Sequence, residues 1–193
     1  MKDPFQQFGE WFAEAEVAVP VDPNAMVLST VGAGGRPSSR VVLLKGFDPS
    51  GFVFYGNLGS RKFRELAAHP FAALNLYWKP LERQVRIEGK VAPVTDAEAD
   101  AYFATRARGS QIGAWASKQS EVLGSRAELE ERARAVDAQY AGRAVPRPPF
   151  WSGYRLAPDR IEFWKSGQFR LHDREVFRRA SPEAPWTVEL LYP

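Results

Sequence analysis

The chain has 193 residues, 45% hydrophobic and 13% aromatic, and its 26 Lys and Arg against 23 Asp and Glu leave a net charge of +3. That is enough apolar material for one packed domain over residues 1–193, and it argues against disorder. Zero cysteines exclude disulfides, thiolate catalysis and iron–sulfur clusters, the two separated histidines His69 and His172 argue against a metal site, and a basic excess this small and scattered suits small anions better than nucleic acid.

Taken in chain order, Pro4 followed by Phe5, Phe8, Trp11 and Phe12 predicts an amphipathic first helix. Strands are predicted over 25–31, 39–47, 52–55, 71–78 and 82–94, with turns at 32–37, 48–51 and 79–80. Thr95-Asp96-Ala97-Glu98 and Ser125-Arg126-Ala127-Glu128 have capping-box spacing and open helices to about Arg106 and Tyr140. Strand patterns return at 153–156, 160–164, 169–177 and 186–192. Short antiparallel strands around a helical middle predict an α+β protein, a β-barrel decorated by helices. No apolar run approaches the roughly 20 residues a membrane helix needs, and MKDPFQQFGEWF lacks a signal peptide's apolar stretch, so no membrane partner and a cytoplasmic location are expected.

Arg40 and Lys45 bracket an apolar strand, and Gly56-Asn57-Leu58-Gly59-Ser60-Arg61-Lys62 ends the next one. Ser60 suits an N-cap, and Arg61 and Lys62 in the first turn oppose the helix dipole unless an anion sits there. The pattern reads as a phosphate site, with a solvated basic helix start as the other reading. Gly32-Ala33-Gly34-Gly35 is followed by a strand where a dinucleotide site needs a helix, so it reads as a hairpin turn. Gln84 falls mid-strand, where its amide fits a heterocycle edge. Tyr102, Arg106 and Ser110 recur every four residues and place a phenol, a guanidinium and a hydroxyl on one side of a helix and its exit, a donor set for a phosphate monoester. An outward polar helix face is the plainer reading. Arg170, His172 and Arg174 alternate in a predicted strand and so share a face, which favours an anionic or electron-rich partner.

Across residues 3–180, RVVLLK (40–45), FYGNLGSRK (54–62), LERQVRIEG (81–89), SQIGAWASKQS (110–120), WSGYR (151–155) and IEFW with RLHDR (161–174) occur in family order. Together they make the chain resemble the pyridoxine/pyridoxamine 5′-phosphate oxidases, FMN enzymes with an antiparallel split β-barrel. The resemblance implies FMN contacts from Arg40, Val41, Val42, Leu43, Leu44, Lys45, Tyr55, Gly56, Arg61, Lys62, Gln84, Gln119, Ser120, Trp164 and Arg174. It implies that Lys45, Tyr102, Arg106 and Ser110 hold the substrate phosphate, and that Arg170 and His172 act catalytically beside the pyridine ring. It further implies pyridoxamine 5′-phosphate and pyridoxine 5′-phosphate as substrates, O2 as acceptor, no metal, and a homodimer with FMN at the interface. Gly56 departs from the family, which often has Thr there, and the chain ends Leu190-Leu191-Tyr192-Pro193 in place of Arg-Leu-Ala-Pro. Two other functions share the FMN motifs: a flavin oxidase of the phenazine pathway acting on another ring, which should lack the substrate set Tyr102, Arg106, Ser110, Arg170 and His172 present here, and a non-enzymatic flavin or pyridoxal-phosphate carrier.

Overall fold

The computed structural model describes residues 2–193. Helix α1 (Pro4–Ala18) starts as expected: the Asp3 carboxylate accepts from Phe5 N at 3.0 Å, and Pro4 fills the first turn, where its missing N–H costs nothing. Phe8 is fully buried against Phe47, Phe52 and Trp78, and Trp11 meets Phe163 edge-on, so the aromatic stripe of α1 joins the main core.

Nine strands form one sheet: β1 (Ala25–Val31), β2 (Pro37–Leu43), β3 (Gly46–Asp48), β4 (Gly51–Asn57), β5 (Phe71–Trp78), β6 (Arg83–Pro93), β7 (Trp151–Lys165), β8 (Asp173–Arg178) and β9 (Thr187–Leu190). Their order is β2-β1-β5-β6-β7-β4-β3, and β8 with β9 branches from β7. Strand β7 makes the branch. Its first half, Trp151–Leu156, pairs with β4, its second half, Arg160–Lys165, pairs with β8, and β6 pairs along it from Tyr154 to Lys165. This divided antiparallel pairing is the split barrel expected from the sequence. Where β6 bends, its register slips between Glu88 and Gly89, and a Cβ on Gly89 would lie 2.1 Å from the Ala157 carbonyl oxygen, so only glycine fits.

Helices α2 (Arg61–Ala68), α3 (Asp96–Thr105), α4 (Arg108–Ala116) and α5 (Arg126–Gln139) complete the chain. The Thr95 capping box forms in full. None of the helices among the described residues is long and apolar enough to cross a membrane.

Three expectations need correction. The run 39–47 is two strands, because Leu44 turns into the core and its backbone groups bond Asn24 in place of a ladder partner. Segments 153–156 and 160–164 are one strand, since Pro158 lies at the irregularity opposite Gly89, where a missing donor is tolerated. The helix expected to run to about Arg106 ends at Thr105 with Arg106 as its C-cap, as read, and α4 starts after a two-residue break. The strand expected over 169–177 begins only at Asp173, because Gln168–Arg170 is a 3-10 turn with Phe169 and Arg170 at φ of 55° and 67°. Arg170, His172 and Arg174 therefore do not line up on one strand face.

Candidate cofactor and substrate site

A cavity of about 820 Å³ opens where β2, the end of β4, the start of α2 and the α3–α4 region meet. Five cationic side chains line it, Arg40, Lys45, Arg61, Lys62 and Arg106, and its lining includes no carboxylate. Val41, Val42, Leu43, Tyr55, Gly56, Tyr102, Ser110, Gln119 and Ser120 also line it, so most of the residues singled out in the sequence converge here. Leu44 does not line it, being 4% exposed and packed in the core.

At the α2 end, one carboxylate organises two guanidinium groups. Glu65 Oε1 accepts from Arg61 Nε at 2.8 Å, and Oε2 accepts from Thr30 Oγ1 at 2.5 Å, Ser38 Oγ at 2.6 Å and Arg40 Nη2 at 3.2 Å. Burial raises the Glu65 pKa, and the hydrogen bonds from Ser38, Thr30 and Arg61 more than reverse this, to about 2. Arg40 also donates to Leu28 O, Thr30 Oγ1 and Ser38 Oγ. Ser60 is the α2 N-cap by position, but its hydroxyl accepts from Lys62 Nζ at 3.1 Å and makes no side-chain cap bond.

Lys62 is only 7% exposed, and its ammonium finds two neutral acceptors, Ser60 Oγ and Gln119 Oε1. Burial first, and the Arg40 charge second, lower its pKa to about 8. A bound phosphate would supply the missing anion. Affinity for FMN should then be highest below pH 8 and fall as the pH rises through that value, by up to about tenfold per unit. Folding stability without FMN should move the other way. A depressed lysine pKa penalises the folded state while the amine is charged, so stability rises from about pH 8 towards 10.5. Parallel titrations of FMN affinity and ligand-free stability at pH 7, 8 and 9 check both signs, and a flat affinity profile would count against an ionic role for Lys62.

Gly56 beside Lys62 has a steric reason. A Cβ there would lie 2.7 Å from the Phe63 ring and 3.3 Å from Lys62 Cε, so a larger residue requires those side chains to move.

The opposite wall is aromatic. Tyr55 stacks on Tyr102 with centroids 4.2 Å apart and on Trp151 at 5.4 Å, and the Arg106 guanidinium lies 4.9 Å over Trp151. Tyr102 and Ser110 sit on different helices, α3 and α4, with Arg106 at the break between them, so it is the kink that brings the three to one cavity. Arg106 has no carboxylate partner, and its Nη1 is buried without a hydrogen-bond acceptor. Burial pushes its pKa down. A desolvated, unpaired guanidinium facing a cavity is a receptor for an anion. Trp151, Asn57 and Ser117 line the same cavity; WSGYR, FYGNLGSRK and SQIGAWASKQS contained them as motif residues without giving any of them its own role.

A second group lies elsewhere. Gln84, at the second residue of β6 and not mid-strand, pairs with Trp164 of β7, which pairs with Arg174 of β8. His172 packs on Trp164 with centroids 4.7 Å apart, and its Nδ1 accepts from Gly167 N at 3.2 Å, leaving Nε2 as the donor. Arg170 is exposed in the 3-10 turn beside it. None of these five residues lines the large cavity. They belong to the end of β7 remote from Trp151, and a 15-residue strand is roughly 50 Å long when straight. Among the described residues, no cluster of three or more His, Asp or Glu is placed to hold a metal ion.

Residues 12–140 match the family model described as pyridoxamine 5′-phosphate oxidase, and residues 151–193 match the pyridoxine 5′-phosphate oxidase C-terminal dimerisation region. A pyridoxine/pyridoxamine 5′-phosphate oxidase of Myxococcus xanthus (strain DK1622) is 61% identical over 191 residues, covering 99% of this chain and 92% of the relative. One from Rhodopseudomonas palustris (strain BisB18) is 58% identical over 192 residues, covering 100% and 90%. Among solved structures, PhzG from Burkholderia lata 383, in complex with tetrahydrophenazine-1-carboxylic acid, superposes with a TM-score of 0.93 at 35% identity, covering 100% of this chain and 94% of that one. A pyridoxamine 5′-phosphate oxidase-related, FMN binding protein from Nostoc punctiforme PCC 73102 shares the fold, with a TM-score of 0.79 at 15% identity over 100% and 98% of the two chains. Agreement with the family model over most of the length, with relatives aligned along essentially the whole chain, shows that this protein belongs to the pyridoxamine 5′-phosphate oxidase family.

Proposed function

We propose that the protein is an FMN-dependent oxidase that converts pyridoxamine 5′-phosphate and pyridoxine 5′-phosphate to pyridoxal 5′-phosphate, as a homodimer with FMN at the subunit interface. The observation that carries this reading is a cavity with five cationic side chains and no carboxylate in its lining, to which Tyr102 and Ser110 add hydroxyl donors. Arg40, Arg61 and Lys62 form one set and suit the FMN phosphate. Lys45, Tyr102, Arg106 and Ser110 form the other and suit the substrate phosphate. When bound, FMN supplies N5 as acceptor of the C4′ hydride and returns the electrons to O2 as hydrogen peroxide.

The protein's part is positioning and charge. Its phosphate donors fix the substrate so that C4′ has one orientation, Arg170 covers the pyridine ring, and His172 donates from Nε2 to the ring substituents. The alcohol gives the aldehyde directly. The amine gives an imine that water hydrolyses, releasing ammonia. The PhzG likeness favours a second substrate class, but a ring carboxylate would leave most of the Lys45, Tyr102, Arg106 and Ser110 donors unpaired, whereas a phosphate uses them all. Incubating FMN-loaded protein with pyridoxamine 5′-phosphate should yield pyridoxal 5′-phosphate and peroxide in equal amounts. Bound flavin without peroxide would identify a carrier instead.

The two groups of proposed ligands stand at opposite ends of β7, which supports their serving different sites, each completed by a second copy of the chain. Mixing an Arg40→Ala/Lys62→Ala variant with a Trp164→Ala/Arg174→Ala variant should restore FMN binding at roughly a quarter of all sites, because half the dimers are mixed and each has one intact site. No recovery after verified subunit exchange would overturn the shared site.

A further inference from the structure

We infer that Glu162 is the positioning residue for Arg174, holding its guanidinium so that one nitrogen stays available to the cofactor. The inference rests on the proposed role of Arg174 as a cofactor contact. Ile161 and Phe163 point into the core, so Glu162 lies on the other face of β7, yet it is fully buried. In register it faces Arg86 of β6 and Val176 of β8, two pairs from the row of Gln84, Trp164 and Arg174 and so on the same face.

Three arginines cover its carboxylate. Oε1 accepts from Arg174 Nε at 2.8 Å and from Arg86 Nη2, and Oε2 accepts from Arg160 Nη2 at 2.5 Å. Burial raises the Glu162 pKa, and the bonds from Arg174, Arg86 and Arg160 reverse this to about 2, so the group stays ionised at neutral pH. Arg174 has a second anchor: its Nη1 donates to Tyr192 O at 2.9 Å, while Leu191 N donates to Arg174 O at 3.0 Å. Because a guanidinium is planar, anchoring Nε and Nη1 fixes the plane and leaves Nη2, with both its hydrogens, as the one nitrogen without a partner among the described residues.

A buried carboxylate is a poor way to stabilise a sheet face, because apolar residues of similar size often do as well. One anion among three guanidinium groups does something apolar residues cannot: it lets like charges share a small area and still leaves the cluster cationic towards a ligand.

The test is a double-mutant cycle read by FMN affinity, with thermal stability measured separately without FMN. Arg174→Ala should weaken FMN about tenfold. Glu162→Asp keeps the charge but withdraws the oxygens by one methylene, and it should reproduce most of that loss. The Glu162→Asp/Arg174→Ala double variant should bind FMN no more weakly than Arg174→Ala alone. Arg160→Gln, which touches only the other oxygen, should stay within about twofold of wild type. Additive losses, or Glu162→Asp with normal affinity, would overturn the positioning role. Wild-type affinity in Arg174→Ala would instead remove Arg174 from the cofactor site, and the role of Glu162 with it. Should Glu162→Asp not fold, Glu162→Gln carries the same comparison.

Discussion

Replacing Arg61 and Lys62 together by alanine should lower FMN affinity by about a hundred- to ten-thousandfold, since each charge-assisted phosphate contact contributes roughly 1.5–3 kcal/mol. The two residues should not share the loss equally. Arg61 is 61% exposed and already paired with Glu65, so water and the carboxylate dilute its attraction for a ligand. Lys62 is buried with only neutral acceptors, and a phosphate there would interact through a medium of low polarity. Lys62→Ala alone should therefore account for most of the effect. Because Lys62 is a desolvated charge in the ligand-free fold, removing it should leave ligand-free stability unchanged or raised. Titration of flavin fluorescence gives the affinity, and a double variant that binds FMN like wild type would remove the α2 end from the cofactor site.

Arg106→Ala should raise KM for the phosphorylated substrate by about ten- to a hundredfold and leave kcat nearly intact, because a phosphate grip acts alike in ground and transition states. Its setting makes this a large effect for one residue: the guanidinium has no internal carboxylate, and its Nη1 is buried and unpaired. Arg170→Ala should behave differently. If Arg170 lies against the reacting ring, its removal lowers kcat as well as kcat/KM. Steady-state kinetics separates the two patterns, and Arg170→Ala with normal turnover and weaker binding alone would deny it a catalytic role.

The fold was legible where local rules and burial agree. Pro4 with its aromatic stripe and the Thr95–Glu98 box placed helix starts, and β-branched and aromatic runs between turns placed β1, β5 and β6. Errors arose where long-range contacts decide. Pro158 read as a break because its partner at the bulge, Gly89, lies far away in sequence. Alternation from Phe169 read as strand because nothing local announces two successive non-glycine residues at positive φ. The period of four through Tyr102, Arg106 and Ser110 brought the right residues together for the wrong reason, since a kink and not a continuous helix assembles them. Glu65 was overlooked although it stands four residues after Arg61, an ion-pair spacing visible in the sequence; that the same carboxylate also holds Arg40 depends on β2 lying beside α2.

The absence of any carboxylate from the lining of the large cavity has a kinetic consequence. A net charge of +3 spread over the surface would exert little pull, but five cations converging on one opening concentrate the field where a ligand enters. Capture of doubly charged phosphate esters should therefore slow as ionic strength rises and the screening length contracts towards ~8 Å at physiological salt, while entry of dephosphorylated analogues stays nearly constant. Selection for the phosphorylated forms of a ligand would then begin during approach, before any hydrogen bond has formed.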